Sequence, residues 1–213
     1  MQLGKHVYTQ KPLTNNISEA RHLMEVARTN KLVTQMGIQY KATAAYRMAI
    51  RFIREGVIGK VAKVYVWSPK DWGHDGGPYP GEDVVPDNLD WNLWKGPAVI
   101  DQFHANFVHY NWHWFWKTGN GDLNNQGTHQ LDVARWAIDN DQDHPVRAMA
   151  IGGRFQWNDQ GETPNSMFGI AQYPNGQYCF FNVRNVNYEG YQRQVENEYY
   201  FEDGGKIIRE RYY

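Results

Sequence analysis

The stretch His6-Val7-Tyr8-Thr9-Gln10-Lys11-Pro12-Leu13-Thr14-Asn15-Asn16-Ile17-Ser18-Glu19 sets the fold class. Residues 6–10 are β-rich, and Lys11-Pro12 ends the strand, because proline lacks a donor and restricts the residue before it. Asn16 with Glu19 three positions later makes a capping box. Behind it Ile17, Ala20, Leu23, Met24 and Ala27 recur on one helical face. Residues 32–36 read as a second strand, closed by Gly37. A strand, a helix and a strand in the first forty residues predict a parallel pair joined by a right-handed crossover.

Outward from this unit the pattern changes. A helix is predicted over about 42–55, with Ala45, Ala49, Phe52 and Ile53 on one face and Gly56 after its end. Residues 61–67 alternate as a strand. From about 69 to 111 no period is sustained, but Trp72, Trp91, Trp94, Phe103 and Phe107 argue for ordered packing rather than a linker. A helix over about 126–138 follows, then strands at about 146–157, 166–173, 177–186, 193–202 and 206–210. Pro174-Asn175-Gly176 and Asp203-Gly204-Gly205 read as hairpin turns, the first with positive φ tolerated at both central positions. Consecutive hairpins predict an antiparallel meander with one face on the helices. The fold class is therefore α/β (α+β): a strand–helix–strand unit, then a large, mostly antiparallel open sheet packed on helices.

The chain has 213 residues, 22 basic and 23 acidic, for a net charge of −1. That balance argues against nucleic acid or an acidic membrane as the main partner. Mean hydropathy is −0.73. No apolar run approaches the roughly 18 residues of a membrane span, and the first residues lack the apolar core of a signal peptide. The single Cys179 makes no internal disulfide, and a cytoplasmic location is expected. Nine tryptophans and fourteen tyrosines make aromatics 15% of the chain, a density that suits binding surface as well as core.

These aromatics concentrate in Trp112-His113-Trp114-Phe115-Trp116, which runs through a Gly/Asn turn into Asn125-Gln126-Gly127-Thr128-His129-Gln130-Leu131-Asp132. Aromatic planes with amides, an imidazole and a carboxylate suit a polar ring-shaped ligand such as a sugar. As a period-2 segment it places Trp112, Trp114 and Trp116 on one side and His113 and Phe115 on the other. His104, His109, His113 and His129 lie near one another in sequence but form no ligand motif, and no metal site is expected.

Residues 4–13, with Gln10-Lys11-Pro12, the Glu19-Ala20 helix and Val33-Thr34-Gln35-Met36-Gly37, resemble the Gfo/Idh/MocA oxidoreductases. Asp90-Trp91-Asn92-Leu93-Trp94-Lys95-Gly96-Pro97-Ala98 resembles the Asp-Trp-x-x-Trp-x-Gly-Pro-Ala signature of one branch, and 110–136 resembles the substrate domain's glycine, histidine and aspartate pattern. The resemblance implies that 1–40 is the remnant of a dinucleotide-binding Rossmann domain and 41–213 a C-terminal substrate and oligomerisation domain. It implies NAD or NADP as cofactor, although this sequence carries no G-x-G-x-x-G after a strand. On the order of 100 residues, a domain's worth, would precede Met1. It further implies a homo-oligomer formed through the antiparallel sheet.

By the same resemblance Lys11 orients or deprotonates a substrate hydroxyl, and His129 acts as acid or base on it. Asn125 stands where many members carry aspartate; it can orient a hydroxyl but not accept its proton. The missing carboxylate falls to Asp132 or Asp122, Asp132 being placed to fix the His129 tautomer or else to pair with Arg135 on the helix surface. Tyr110, Trp112, His113, Trp114, Trp116, Gln126 and Arg135 are the candidate substrate-binding residues. Gln10, Lys11 and Pro12 would meet a bound nicotinamide, with Gln10 replacing the common glutamate. The reading is an oxidoreductase-family protein acting on a sugar, polyol or related hydroxylated ring. Two others stay open: a cofactor-independent glycoside hydrolase or lyase, and a non-catalytic binding or oligomerisation protein.

Overall fold

The computed structural model describes residues 1–68, 83–139, 144–186 and 195–210. Residues 69–82 of the expected long loop and the start of the strand expected from 193 lie outside them. The N-terminal unit is β1 (Val7–Gln10), α1 (Ile17–Thr29) and β2 (Thr34–Gly37), with the two strands parallel. The Asn16 side chain accepts from the Glu19 amide at 2.9 Å, while the Glu19 carboxylate accepts from the Asn15 and Asn16 amides. The capping box is thus formed as the spacing predicts. The apolar stripe of α1 is not covered, however: no residue of the helix is buried, and Ile17 and Met24 are exposed.

A 3-10 turn, Gln39–Ala42, leads into α2 (Ala44–Arg54) and then β3 (Val61–Ser68). The region expected to be irregular contains a short helix, α3 (Trp91–Lys95), capped by Asp90, and a 3-10 turn at Ala105–Phe107. Ile100, Phe107 and Phe115 gather there into a small core flanked by Trp91 and Trp94. Next come α4 (Gly121–Asn125), α5 (Gly127–Asp139), β4 (Arg147–Gly153), β5 (Ser166–Gln172), β6 (Tyr178–Arg184), β7 (Val195–Phe201) and β8 (Lys206–Glu210).

Strands β4 to β6 form a meander and β7–β8 a hairpin, but these are not one continuous meander. The sheet order is β4-β5-β6-β3-β7-β8, and β3 runs parallel to β6. Val64 and Val66 of β3 have no solvent exposure, in keeping with a central strand whose inner face is covered by α2 and α5. The β5–β6 turn also differs from expectation. Only Gly176 has positive φ, at 83°, while the Asn175 side chain accepts from the Gln177 amide.

Registered rows define the two faces. On the inner face Val64 lies beside Cys179 and Tyr199, and Val66 beside Phe181. Tyr46, Ile50 and Ile53 of α2 and Val133, Ala134, Ala137 and Ile138 of α5 cover them. Each fully buried valine contributes about 1.5–3 kcal/mol. On the outer face Met149, Ile170, Phe180 and Tyr65 form one row, and Ile151, Phe168, Asn182 and Trp67 the next. Among the described residues no helix is long and apolar enough to cross a membrane.

Cys179 is a direct reporter of this packing. It is 2% exposed, and burial pushes its thiol up to about 12. The native thiol will resist an aromatic disulfide reagent at pH 8 and react stoichiometrically in denaturant; rapid native labelling would show that the sheet–helix core is open.

Candidate active site

The segment carrying the tryptophans is not a strand. Asn111–Trp114 forms a 3-10 turn, so successive side chains rotate by about 120° instead of alternating. Trp112, Trp114 and Trp116 therefore do not share a side. Trp114 is wholly buried, Phe115 and His113 are buried, Trp112 is half-buried and Trp116 is 51% exposed. His113 stacks on Trp112 with ring centroids 3.7 Å apart, and its Nδ1 meets the Tyr110 carbonyl oxygen.

Two glycines let the following helices close on this segment. Gly121 opens α4 at φ 62°, and a Cβ there would meet the Thr163 hydroxyl oxygen at 2.6 Å. Thr163 is held in place: its amide donates to the Trp114 carbonyl, and its own carbonyl accepts from Arg154, which is paired with Asp159. Gly127 opens α5, where a Cβ would strike the Phe181 ring at 2.6 Å. Only glycine lets α5 begin this close to the sheet, and that contact sets the positions of Asn125, Gln126 and His129.

The polar centre lies where these elements meet β1. The Lys11 amine donates to the Asn125 backbone oxygen at 2.9 Å and to its Oδ1 at 3.0 Å. Asn125 Nδ2 donates to the Tyr110 hydroxyl at 3.1 Å and reaches Asp122 Oδ1 at 3.5 Å. Asp122 is 1% exposed, and its Oδ2 accepts from the Trp114 indole at 3.2 Å and from the Asn185 amide. Burial lowers the Lys11 pKa, and the Asp122 carboxylate partly offsets this by raising it. Burial likewise raises the Tyr110 phenol. The arrangement can hold a hydroxyl between an amine, a phenol and an amide, with a buried negative charge behind them.

Gln126 and His129 stand on the other flank of Asn125. Gln126 Nε2 donates to the Tyr40 hydroxyl at 3.4 Å, and the His129 ring packs on Tyr40 with centroids 4.8 Å apart. Asp132 lies 3.2 Å from the Lys41 amine, a partner contributed by the 3-10 turn before α2. Arg135 and Trp136 sit on the partly exposed face of α5, with Lys41 and Arg54 over the Trp136 ring. Gln10 turns back on its own chain, its Oε1 accepting from the Lys11 amide at 3.0 Å. Pro12 is half-buried beside it and lines the large cleft next to this centre.

Of the carboxylates offered as compensation for Asn125, Asp122 is therefore the one set against Lys11. Tyr40 and Asn185 carry no sequence signal that would single them out, since each reaches the site only through the crossing of distant segments. Among the described residues no group of three or more His, Cys, Asp or Glu side chains is placed to hold a metal.

Comparison with known proteins adds a lineage to this geometry. The profile of a family described as an oxidoreductase family, C-terminal alpha/beta domain, matches residues 49–210. Levoglucosan dehydrogenase of Pseudarthrobacter phenanthrenivorans is 24% identical over 138 residues, which cover 64% of this chain and 28% of that enzyme. An oxidoreductase domain protein from Kribbella flavida superposes with a TM-score of 0.67 at 19% identity, covering 98% of this chain and 49% of that one. The WlbA dehydrogenase of Chromobacterium violaceum, solved with NADH and UDP-GlcNAcA, gives 0.62 at 18% identity, over 94% of this chain and 48% of that one. The chain thus spans about half the length of these solved structures and little over a quarter of the curated relative.

The Lys11–Asp122 relation has a direct test. In an NMR titration of the lysine amines, with Lys11→Gln to assign the signal, Lys11 will deprotonate below the ordinary lysine value. Asp122→Asn removes the group that raises this pKa, so it will shift Lys11 further down. Titration alongside exposed lysines, or no response to Asp122→Asn, would refute the assigned geometry.

Proposed function

We propose, from the premise that the chain belongs to the Gfo/Idh/MocA oxidoreductase family, that the Lys11–Asn125 centre is the substrate half of a dehydrogenase site for a sugar, polyol or related hydroxylated ring. The observation that carries the reading is the half-buried Lys11 amine fixed on Asn125 in front of buried Asp122. Names in the family point the same way: one relative is a levoglucosan dehydrogenase, and one structural neighbour holds a sugar nucleotide.

In this reading the substrate hydroxyl displaces part of the Lys11–Asn125 contact, donates a hydrogen bond to the neutral Lys11 amine and accepts one from the Tyr110 phenol. The lowered pKa makes a neutral Lys11 amine easier to reach, so it can take up the hydroxyl proton as the carbinol carbon is oxidised. Asp122 then stabilises the ammonium that forms. Asn125 holds the amine and cannot take the proton. His129, braced on Tyr40, is the second group for proton exchange. Gln126, Tyr110, His113 and Trp112 bound the ring, while Trp114 braces Asp122 from beneath. Arg135 and Asp132 act from the partly exposed side of α5, Asp132 through its pair with Lys41.

In relatives the oxidant is a nicotinamide dinucleotide, whose pyrophosphate needs a glycine-rich turn and free amides at a helix N-terminus. The β1–α1 turn, residues 11–16, contains no glycine, and the Glu19 carboxylate already occupies the amides of Asn15 and Asn16. A second negative charge at that terminus would be repelled. These residues do not fit a pyrophosphate, and Gln10, Lys11 and Pro12 would face only a nicotinamide ring. No proton step above depends on where the dinucleotide is held.

A separate observation favours self-association. The outer face of β4 exposes Met149 at 65% and Ile151 at 74%, continuous with Phe168, Ile170, Phe180 and Tyr65. A sheet face this apolar is expected to be covered, here by a second copy.

Calorimetry with levoglucosan and with UDP-linked uronates will show ring binding that falls about tenfold or more in Lys11→Met, the cost of one hydrogen bond to a charged or strongly polarised group. His129→Ala will weaken binding less than turnover measured with any complementing nucleotide-binding protein. Unchanged binding in both variants would reject the assignment, and tight NADH binding by the 213-residue chain itself would reject the pyrophosphate mismatch. Light scattering will give a multiple of 24.9 kDa, moved towards that mass by Ile151→Lys; a wild-type monomer would rule out the sheet interface.

A further inference from the structure

Trp116 is the candidate residue that does not point at the Lys11–Asn125 centre. Its indole is 51% exposed, yet its backbone is clamped from both sides: its amide donates to Glu162 at 2.8 Å, and its carbonyl accepts from Asn15 at 3.2 Å. Asn120 in turn donates to the Asn15 carbonyl at 3.2 Å. This amide bridge joins the start of α1 to the loop before α4, and a cleft opens on each side of it.

The larger cleft has a volume of about 710 Å³, with Trp112 and Lys117 on one wall and Pro12, Leu13 and His22 on the other. The smaller, of about 330 Å³, is walled by Trp116, Asn124, Leu123 and Met167. Both share Thr14, Asn15, Asn16 and Asn120, so the two clefts adjoin at the bridge and line up as one grooved surface. Each part offers one indole. Trp112 is stacked on His113 and its carbonyl accepts from Thr118 at 2.7 Å, while Trp116 is held through its backbone. Between the indoles the lining is amide and hydroxyl, and the Glu19 carboxylate is committed to the helix cap.

An indole plane beside amides matches the apolar C–H face and hydroxyl edge of a pyranose. Of the charged groups on the lining, Glu19 is committed to the helix cap and the Lys95 amine donates to the Ile100 carbonyl at 3.4 Å. That leaves Lys117 and His22 at the rim against a lining otherwise of amides, hydroxyls and apolar side chains. Two such surfaces in series exceed what a single ring can cover. The lining also borders the reactive centre: Pro12 follows Lys11, and Asn124 precedes Asn125.

We propose that this groove binds a neutral saccharide of at least two linked rings, so that the ring oxidised at Lys11 is one unit of an oligosaccharide or glycoside. The inference rests on the reading of Lys11–Asn125 as a hydroxylated-ring site, but the groove itself can be tested without oxidation. The full 213-residue protein, free of nucleotide, is screened on an array of neutral mono- to tetrasaccharides. The tightest disaccharide and its component monosaccharides are then measured by calorimetry.

The disaccharide is expected to bind about tenfold tighter than either monosaccharide, as one added aromatic–sugar contact allows. Trp116→Ala will remove that advantage while leaving monosaccharide affinity within about twofold. Trp116→Phe, which keeps an aromatic plane, will restore most of it. The half-exposed side chain makes an unchanged melting curve the expected control. Lys11→Met will weaken both ligands by the same factor.

Monosaccharides binding as well as longer glycans, or Trp116→Ala weakening both alike, would overturn the groove and leave the Lys11 reading standing. Longer glycans that bind independently of Lys11 would support the groove and overturn that reading. No binding by any glycan on the array would overturn the groove, and the Lys11 reading would then stand or fall on its own test with levoglucosan and UDP-linked uronates.

Discussion

A buried carboxylate organises this molecule. Asp122 is 1% exposed, and an interior charge is tolerated only when hydrogen-bonded or paired. Its partners come from separate parts of the chain: the Trp114 indole from the 3-10 turn, the Asn185 amide from beyond β6, and the Asn125 amide one turn along. Meeting that requirement draws the aromatic loop, the start of α4 and the end of the sheet together. It also supplies the negative potential in front of which the Lys11 amine stays protonated more readily than burial alone would permit. Structure and chemistry thus share one group, since the charge that fastens the loop also tunes the amine.

The sheet makes that arrangement rigid. Val64 and Val66 occupy its centre, α2 and α5 cover the inner face, and Gly127 lets α5 begin against Phe181. Asn125, Gln126 and His129 therefore project from a helix junction whose position the core decides. The β1–α1 unit meets them through polar contacts, Lys11 to Asn125 and Asn15 to Trp116 and Asn120. Its helix buries no residue. The Lys11 amine thus comes from the unit with the smaller apolar core, and its placement relies on hydrogen bonds across the cleft.

Legibility from sequence divides along the same line. The capping box, the stop of β1 at Lys11-Pro12 and the β7–β8 hairpin were readable because each depends on residues within a few positions of one another, whereas the strand expected to about 157 ends at Gly153. The candidates Lys11, Asn125, His129 and the tryptophans were nameable by type and by family resemblance. The period-2 reading of residues 112–116 failed because buried aromatics must satisfy tertiary packing, and a 3-10 turn puts Trp114 under Asp122 where a strand would not. The Lys41 contact of Asp132 was not legible, because Lys41 approaches from another segment.

The sequence by itself determined most of the strands and the longer helices, the family and the kinds of side chain available for chemistry, because propensity, capping and turn preference are local properties. Tertiary structure alone decided that Lys11 meets Asn125 across 114 positions, that Asp122 is the carboxylate behind them, that β3 runs through the middle of the sheet, and that Trp116 faces a separate groove. Each depends on which segments cross and how deeply they are buried. Burial converts a list of polar residues into a charge with specified partners, and it is a property of the packed chain that no short stretch contains.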